Sequence, residues 1–146
     1  MGPLRTGLFE VEIDGVGVSG FKRIDIPSSR TKQVEYREGK DPDHQRKLWG
    51  QTLYDDLVME RGAKKDDTTL HDWRQSVIQG KMEEARKTVA VIIQDEVGEQ
   101  TLRYEFTECW PKEYDPPTLE TGAQGGQGNV ATETLTCVFN EMKRSQ

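Results

Sequence analysis

The stretch TGAQGGQG, Thr121–Gly128, is glycine-rich enough to invite comparison with loops that wrap phosphates. It lacks the Gly-Lys-Ser/Thr ending that supplies the lysine and hydroxyl to a nucleotide and its magnesium, and it leads into a strand-like run rather than a helix. It reads as a loop. Zinc chemistry has no better footing. His44 and His71 lie far from Cys109 and Cys137, and no Cys-x-x-Cys pair is present. Both cysteines fall in strand-like segments, as reduced core thiols or as a cross-strand disulfide. No serine occupies a Gly-x-Ser-x-Gly turn. Carboxylates are plentiful, but they alternate outward on strands instead of pairing for acid–base work. Trp49, Trp73 and Trp110 lack the interleaved basic residues of a base-stacking set. No catalytic, metal or cofactor-binding residue is assigned, and an enzyme is disfavoured.

The elements that would position such residues are those of one domain, 1–146. Hydrophobic residues are 33% of the chain and charged residues 32%. That balance predicts a thin core, as in a small barrel or in a subunit that completes its burial against neighbours. The net charge is −6, and from Asp95 to Glu141 ten acidic residues face only Arg103 and Lys112. A surface so charged repels nucleic acid. No window is apolar enough for a membrane helix, and the first residues carry no apolar signal core. The expectation is a chain made soluble in the cytoplasm.

Strand periodicity dominates. In LFEVEID, Phe9, Val11 and Ile13 alternate with Glu10, Glu12 and Asp14. DGVGVSG reads as a turn-rich link. FKRIDIP and RTKQVEYRE read as two further strands, and TLYDDLVMERG as a single fourth. Then the period changes: Leu70, Trp73, Val77 and Ile78 form one apolar stripe, predicting a helix over about 67–80, capped by Asp67, Thr68 or Thr69 and ended at Gly80. RKTVAVIIQD is apolar on both faces and predicts a strand covered on both sides. After the DEVGEQ turn, TLRYEFTECWP points Leu102, Tyr104 and Phe106 inward and Arg103, Glu105 and Thr107 outward. A Pro/Gly loop over about 115–129 precedes a last long strand, VATETLTCVFNEM. The fold class is mainly β: a small antiparallel barrel or sandwich of about seven strands with one flanking helix.

Several short motifs occur together in order. They are Ile13–Gly15 (IDG), Glu35–Gly39 (EYREG), Leu48–Gly50, Arg61–Gly62, the helix tryptophan Trp73, Trp110–Pro111 and Glu133–Leu135 (ETL). In this order, across nearly the whole chain, they resemble the tail-tube protein family of contractile-tailed phages, which also supplies inner-tube subunits of phage-like injection systems. The resemblance implies a flattened barrel and hexameric rings stacked into a hollow tube inside a contractile sheath. It implies no catalysis. Its implied partners are other copies of the chain, sheath, baseplate and tail-terminator proteins, and a tape-measure protein or cargo in the lumen. DNA would pass without specific binding, and the monomer would not insert in a membrane. The finished subunit would belong to a virion tail or an extracellular injection particle.

On that reading the charged excursion over about 37–50 reaches the next ring. Arg37, Lys40, Asp43, Arg46 and Lys47 would form complementary pairs, with Trp49 as apolar anchor. The bland alternative is a solvated loop with Trp49 tucked into its own core. Glu12, Glu105 and Glu133 are the candidates for an acidic lumen. Two readings compete: an inner tube of a non-viral injection system and, in a different class, a monomeric ligand-binding β-barrel.

Overall fold

The computed structural model describes residues 8–36, 46–94, 97, 99–119 and 131–145. Ten strands and two helices are assigned there, more pieces than periodicity resolves. Strand β1 (Phe9–Ile13) turns at Asp14–Gly15 into the short β2 (Val16–Val18). Both turn residues have positive φ, 51° and 78°, as a two-residue hairpin loop requires. Three residues are too few to show a period, so this second strand reads as a link in the sequence. β3 (Phe21–Asp25) is followed by β4 (Ser29–Tyr36), β5 (Arg46–Tyr54) and β6 (Leu57–Gly62).

The expected single strand over TLYDDLVMERG is therefore two. The chain breaks at Asp55–Asp56, where Asp55 N–H donates to Ser28 C=O at 3.0 Å. Likewise the expected last strand is two, β9 (Thr132–Val138) and β10 (Glu141–Ser145). Between them Phe139 turns into the core edge-on to Phe106, with ring centroids 4.9 Å apart.

The helix α1 spans Thr69–Ile78. Thr68 holds the N-cap position without a side-chain cap bond, and the preceding Asp67 takes over that task, its Oδ1 accepting the Thr69 N–H at 3.1 Å and the Thr69 hydroxyl at 2.7 Å. Leu70 and Trp73 are buried, and the Trp73 Nε1–H donates to Ala85 C=O at 2.6 Å, tying α1 to the one-turn helix α2 (Met82–Ala85). The apolar stripe does not stay inside to its end, because Ile78 is exposed.

One antiparallel sheet runs in the order β2-β1-β7-β8-β9-β6-β3, with β7 at Lys87–Gln94, β8 at Gln100–Asp115, and β10 also pairing with β8. The long β8 belongs to both halves. Its first part pairs with β7 and β10, and its last part, from Trp110, pairs with β9. Glu108, at φ +48°, marks the bend. Strands that switch sheets at a bend close two sheets over one core. That core holds Val11, Ile13, Leu57, Met59, Leu70, Trp73, Val89, Val91, Phe106, Cys109, Leu135 and Cys137. Both cysteines are unbonded and buried, and burial pushes the Cys137 thiol well up, so it stays protonated.

Candidate assembly surfaces

Strands β4 and β5 form a two-stranded sheet of their own, an arm that pairs with no other strand among the described residues. Its root is held at three points, one of them the Tyr54 ring, 5.2 Å centroid to centroid from Phe139. The Arg30 guanidinium donates to both Asp55 carboxylate oxygens at 2.7 and 2.8 Å, and Lys112 lies 2.7 Å from Asp56. The described residues of β4 from Ser29 to Glu35 are all exposed. Trp49 is 87% exposed, Leu48 51% and Val34 48%. Trp49 is thus not part of its own core. Arg46 and Lys47 begin β5 as strand residues, in register with Tyr36 and Glu35. Arg37, Lys40 and Asp43 lie outside the described residues, as does most of the Gly-rich loop.

The outer face of β1, β7, β8 and β10 is polar. Register aligns Glu12, Ala90, Glu105 and Lys143 in one row, and Glu10, Ile92, Arg103 and Ser145 in the next. Arg103 donates to Glu105 at 2.8 Å and to Glu12 at 3.2 Å. Those carboxylates stand on strands flanking β7, so the guanidinium spans β7 and roofs it. This accounts for the burial of Ala90 and Ile92 on the side away from the core: β7 is covered on both faces, and its second cover is charged side chains. Hydrogen bonding to Glu105, then to Glu12, raises the Arg103 pKa against the opposing effect of burial. Two of the three candidate lumen carboxylates, Glu12 and Glu105, therefore share one wet face.

Glu133 does not. It is only 4% exposed and faces inward, in strand phase with Leu135 and Cys137. Its register partner is Arg61, itself fully buried, with Nε 3.5 Å from Oε1. Arg61 also donates to both oxygens of Asp67 at 3.1 Å and lies 5.9 Å from the Phe21 ring. A buried carboxylate needs a cation. The arginine of the Arg61–Gly62 motif supplies it to the glutamate of Glu133–Leu135. Assigning Glu133 to a wet face overlooked its alternation with Leu135, which already marked it as inward.

Other motifs are structural joints as well. Asp14 Oδ1 accepts the Thr88 N–H at 2.8 Å, and Pro111 C=O accepts Arg74 at 3.0 Å. A Cβ at Gly50 would lie 3.0 Å from Val34 Cγ2 and 3.2 Å from Lys32 C=O, so glycine lets Val34 lie across β5. Among the described residues no group of three or more His, Cys, Asp or Glu is arranged to hold a metal, and no helix is long and apolar enough to cross a membrane.

No curated protein matches the sequence significantly. Solved structures with the same fold are numerous. A chain of the sheath/tube terminator of the PVC extracellular contractile injection system, in the extended state, has a TM-score of 0.86 at 17% identity, with 100% of this chain and 99% of that one covered. A chain of the PVC sheath–tube complex gives 0.84 at 17%, covering 98% and 91%. Hcp1 from Flavobacterium johnsoniae gives 0.58 at 16%, covering 94% of each chain. The family model for T4-like virus tail tube protein gp19 matches residues 5–143, nearly the whole sequence, and the chain belongs to that family.

Proposed function

We propose that this tail-tube subunit assembles into rings of six, that the rings stack into the inner tube of a contractile particle, and that the β4–β5 arm bridges one ring to the next. The observation that carries the arm's role is its solitude. The body buries a core of its own, though Val16 and Ile78 are exposed on it, whereas none of the arm's described residues is buried, Trp49, Leu48 and Val34 lie open to water, and the arm pairs with no other strand among the described residues. Isolated two-stranded hairpins are marginally stable in water, so a neighbour is the natural source of support.

Glu12 and Glu105 are the candidate lumen residues, with Glu10 and Glu141 on the same outer face by register and Arg103 and Lys143 as the opposing cations. A net acidic wall gives DNA or an acidic cargo no binding sites as it passes. Sheath, baseplate and terminator proteins are the partners, with a tape-measure protein or cargo inside. No catalytic step is assigned. Synthesis in the host cytoplasm and later incorporation in a particle complete this reading.

A non-viral injection system is the second reading, favoured by the fold shared with chains of an extracellular injection particle. A monomeric ligand-binding barrel gains no support from an interior where Leu57, Met59, Phe106 and Leu135 are wholly buried. Negative-stain microscopy of the purified chain, and of particles containing it, tests the proposal. Sixfold rings or tubes are expected. A strict monomer, or a different symmetry, overturns it.

A further inference from the structure

We infer that Cys109 and Cys137 are a latent disulfide, a redox-sensitive staple between the two halves of the sheet that stays open in a reducing compartment and closes in an oxidising one. It is a property of one chain and stands or falls apart from the tube reading. Cys109 lies on β8 opposite Lys87 of β7, and Cys137 lies on β9 between Leu57 of β6 and Pro111 of β8. A bond between them ties the β7 half to the β6–β9 half across the bend. Strict alternation would not bring them together. Phe106 is buried, and counting by twos from it turns Cys109 outward. An extra residue corrects this. Phe106 and Cys109 are three apart on β8, while their partners Val89 and Lys87 are two apart on β7. The bulge contains Glu108, exposed and at φ +48°, a conformation that residues other than glycine rarely adopt. Its result is to aim the Cys109 thiol into the core, where both cysteines are fully buried.

Cys109 sits two residues before Pro111, the register partner of Cys137, so the two thiols are diagonal neighbours on the inner face. Diagonal neighbours in a regular sheet stand about 7–8 Å apart, more than a disulfide spans. The bulge adds twist, and here the two thiols are hydrogen-bonded to each other. The oxidant that balances the step is a small-molecule disulfide such as oxidised glutathione. One cysteine thiolate attacks it, releasing a glutathione thiol and leaving a mixed disulfide. The second cysteine thiolate attacks the protein sulfur of that mixed disulfide, releases the other glutathione and closes the Cys109–Cys137 bond. Two protein thiols are oxidised, one glutathione disulfide is reduced, and the two protons pass to the departing thiolates. Burial keeps the reagent out of the closed fold. The rate therefore follows local opening at the Phe139–Asn140 break, where the Asn140 amide donates to the Glu108 carboxylate. The bond closes the stretch 109–137, which holds the glycine-rich run Thr121–Gly128, so it removes much freedom from the unfolded chain.

The purified chain tests this without any ring or tube, so failure here leaves the tube reading untouched. The chain is treated with oxidised glutathione in urea, refolded and compared with the reduced chain. Expected are a mass lower by two hydrogens, a bridge mapped between the peptides containing 109 and 137, and a thermal midpoint about 5 °C or more above that of the reduced chain. Dithiothreitol should reverse all three. A Cys109→Ala chain given the same treatment should show no shift, and the dithiothreitol reversal serves as the control if that chain folds poorly. The reduced native chain, given oxidised glutathione without urea, should form the same bridge. A bonded chain that melts at or below the reduced one shows that the fold rejects the bond, and overturns the inference. So does a native chain that stops at the glutathione adduct, that bonds chain to chain, or that forms the bridge only once unfolded.

Discussion

At Arg61 the chain hides a charge completely, and at Trp49 it leaves an indole almost entirely in water. Both placements run against the ordinary preferences of the two side chains. Arg61 is tolerable because Asp67 and Glu133 answer its charge within the same chain. Among the described residues Arg61 is the one buried cation, and its counter-charges come from within the body. Nothing described in the same chain answers Trp49, which is the ground on which the arm is proposed as a contact with another copy. A polar group can be satisfied by a few atoms at hydrogen-bond distance, whereas an indole needs a whole apolar surface.

The comparison breaks most visibly at Arg61. Arg61→Ala leaves Glu133 buried without its cation and should cost about 3–5 kcal/mol of unfolding free energy by urea titration. The paired change Arg61→Met with Glu133→Leu should recover much of that loss. If the single and double variants are equally unstable, the pair is not what holds β6 against β9. A similar cost, about 3–5 kcal/mol, is expected for Phe106→Ala, which empties the core where both halves of the sheet meet.

Acid should act on the same cluster through its other carboxylate, Asp67. Hydrogen bonds from Thr69 and then Arg61 hold the Asp67 pKa down to about 2, from an ordinary 3.8. The folded value lies below the unfolded one, so this stabilisation is full above the ordinary value and fades as pH falls towards 2. Asp67→Asn should flatten that part of the stability–pH curve, and an unchanged acid limb would refute the assignment.

Smaller effects belong to the arm. Arg30→Ala removes an exposed ion pair and should cost under about 1 kcal/mol. Its readout is faster hydrogen exchange in β4 and β5, approached in wild type by raising salt. The smallest expected change is the stability of monomeric Trp49→Ala, within about 0.5 kcal/mol of wild type because no described neighbour is lost. A loss of several kcal/mol would place Trp49 in the core of its own body and erase the contrast.

Much of the body was legible in the sequence, because alternation over five or more residues reports which strand face is dry. Phe106, Val11 and Leu135 follow from their neighbours in this way, and so does the change of period at Leu70 and Trp73. What was missed were breaks and short pieces. Asp55–Asp56 and Phe139–Asn140 interrupt runs whose pattern continues across them. Alternation records inside and outside but not which sheet a strand joins.

The sequence by itself determined the mainly β character, the position of the helix and, through seven ordered motifs, the tail-tube family. Only the tertiary structure decided that Arg61 and Glu133 meet, that Arg103 bridges Glu12 and Glu105, and that the arm stands apart from the body. The reason is physical. A strand's periodicity is a local property of its backbone, so one segment reveals it. The partner of a charge, or the absence of one for an indole, depends on register between strands distant along the chain, and that is set only when the sheet closes.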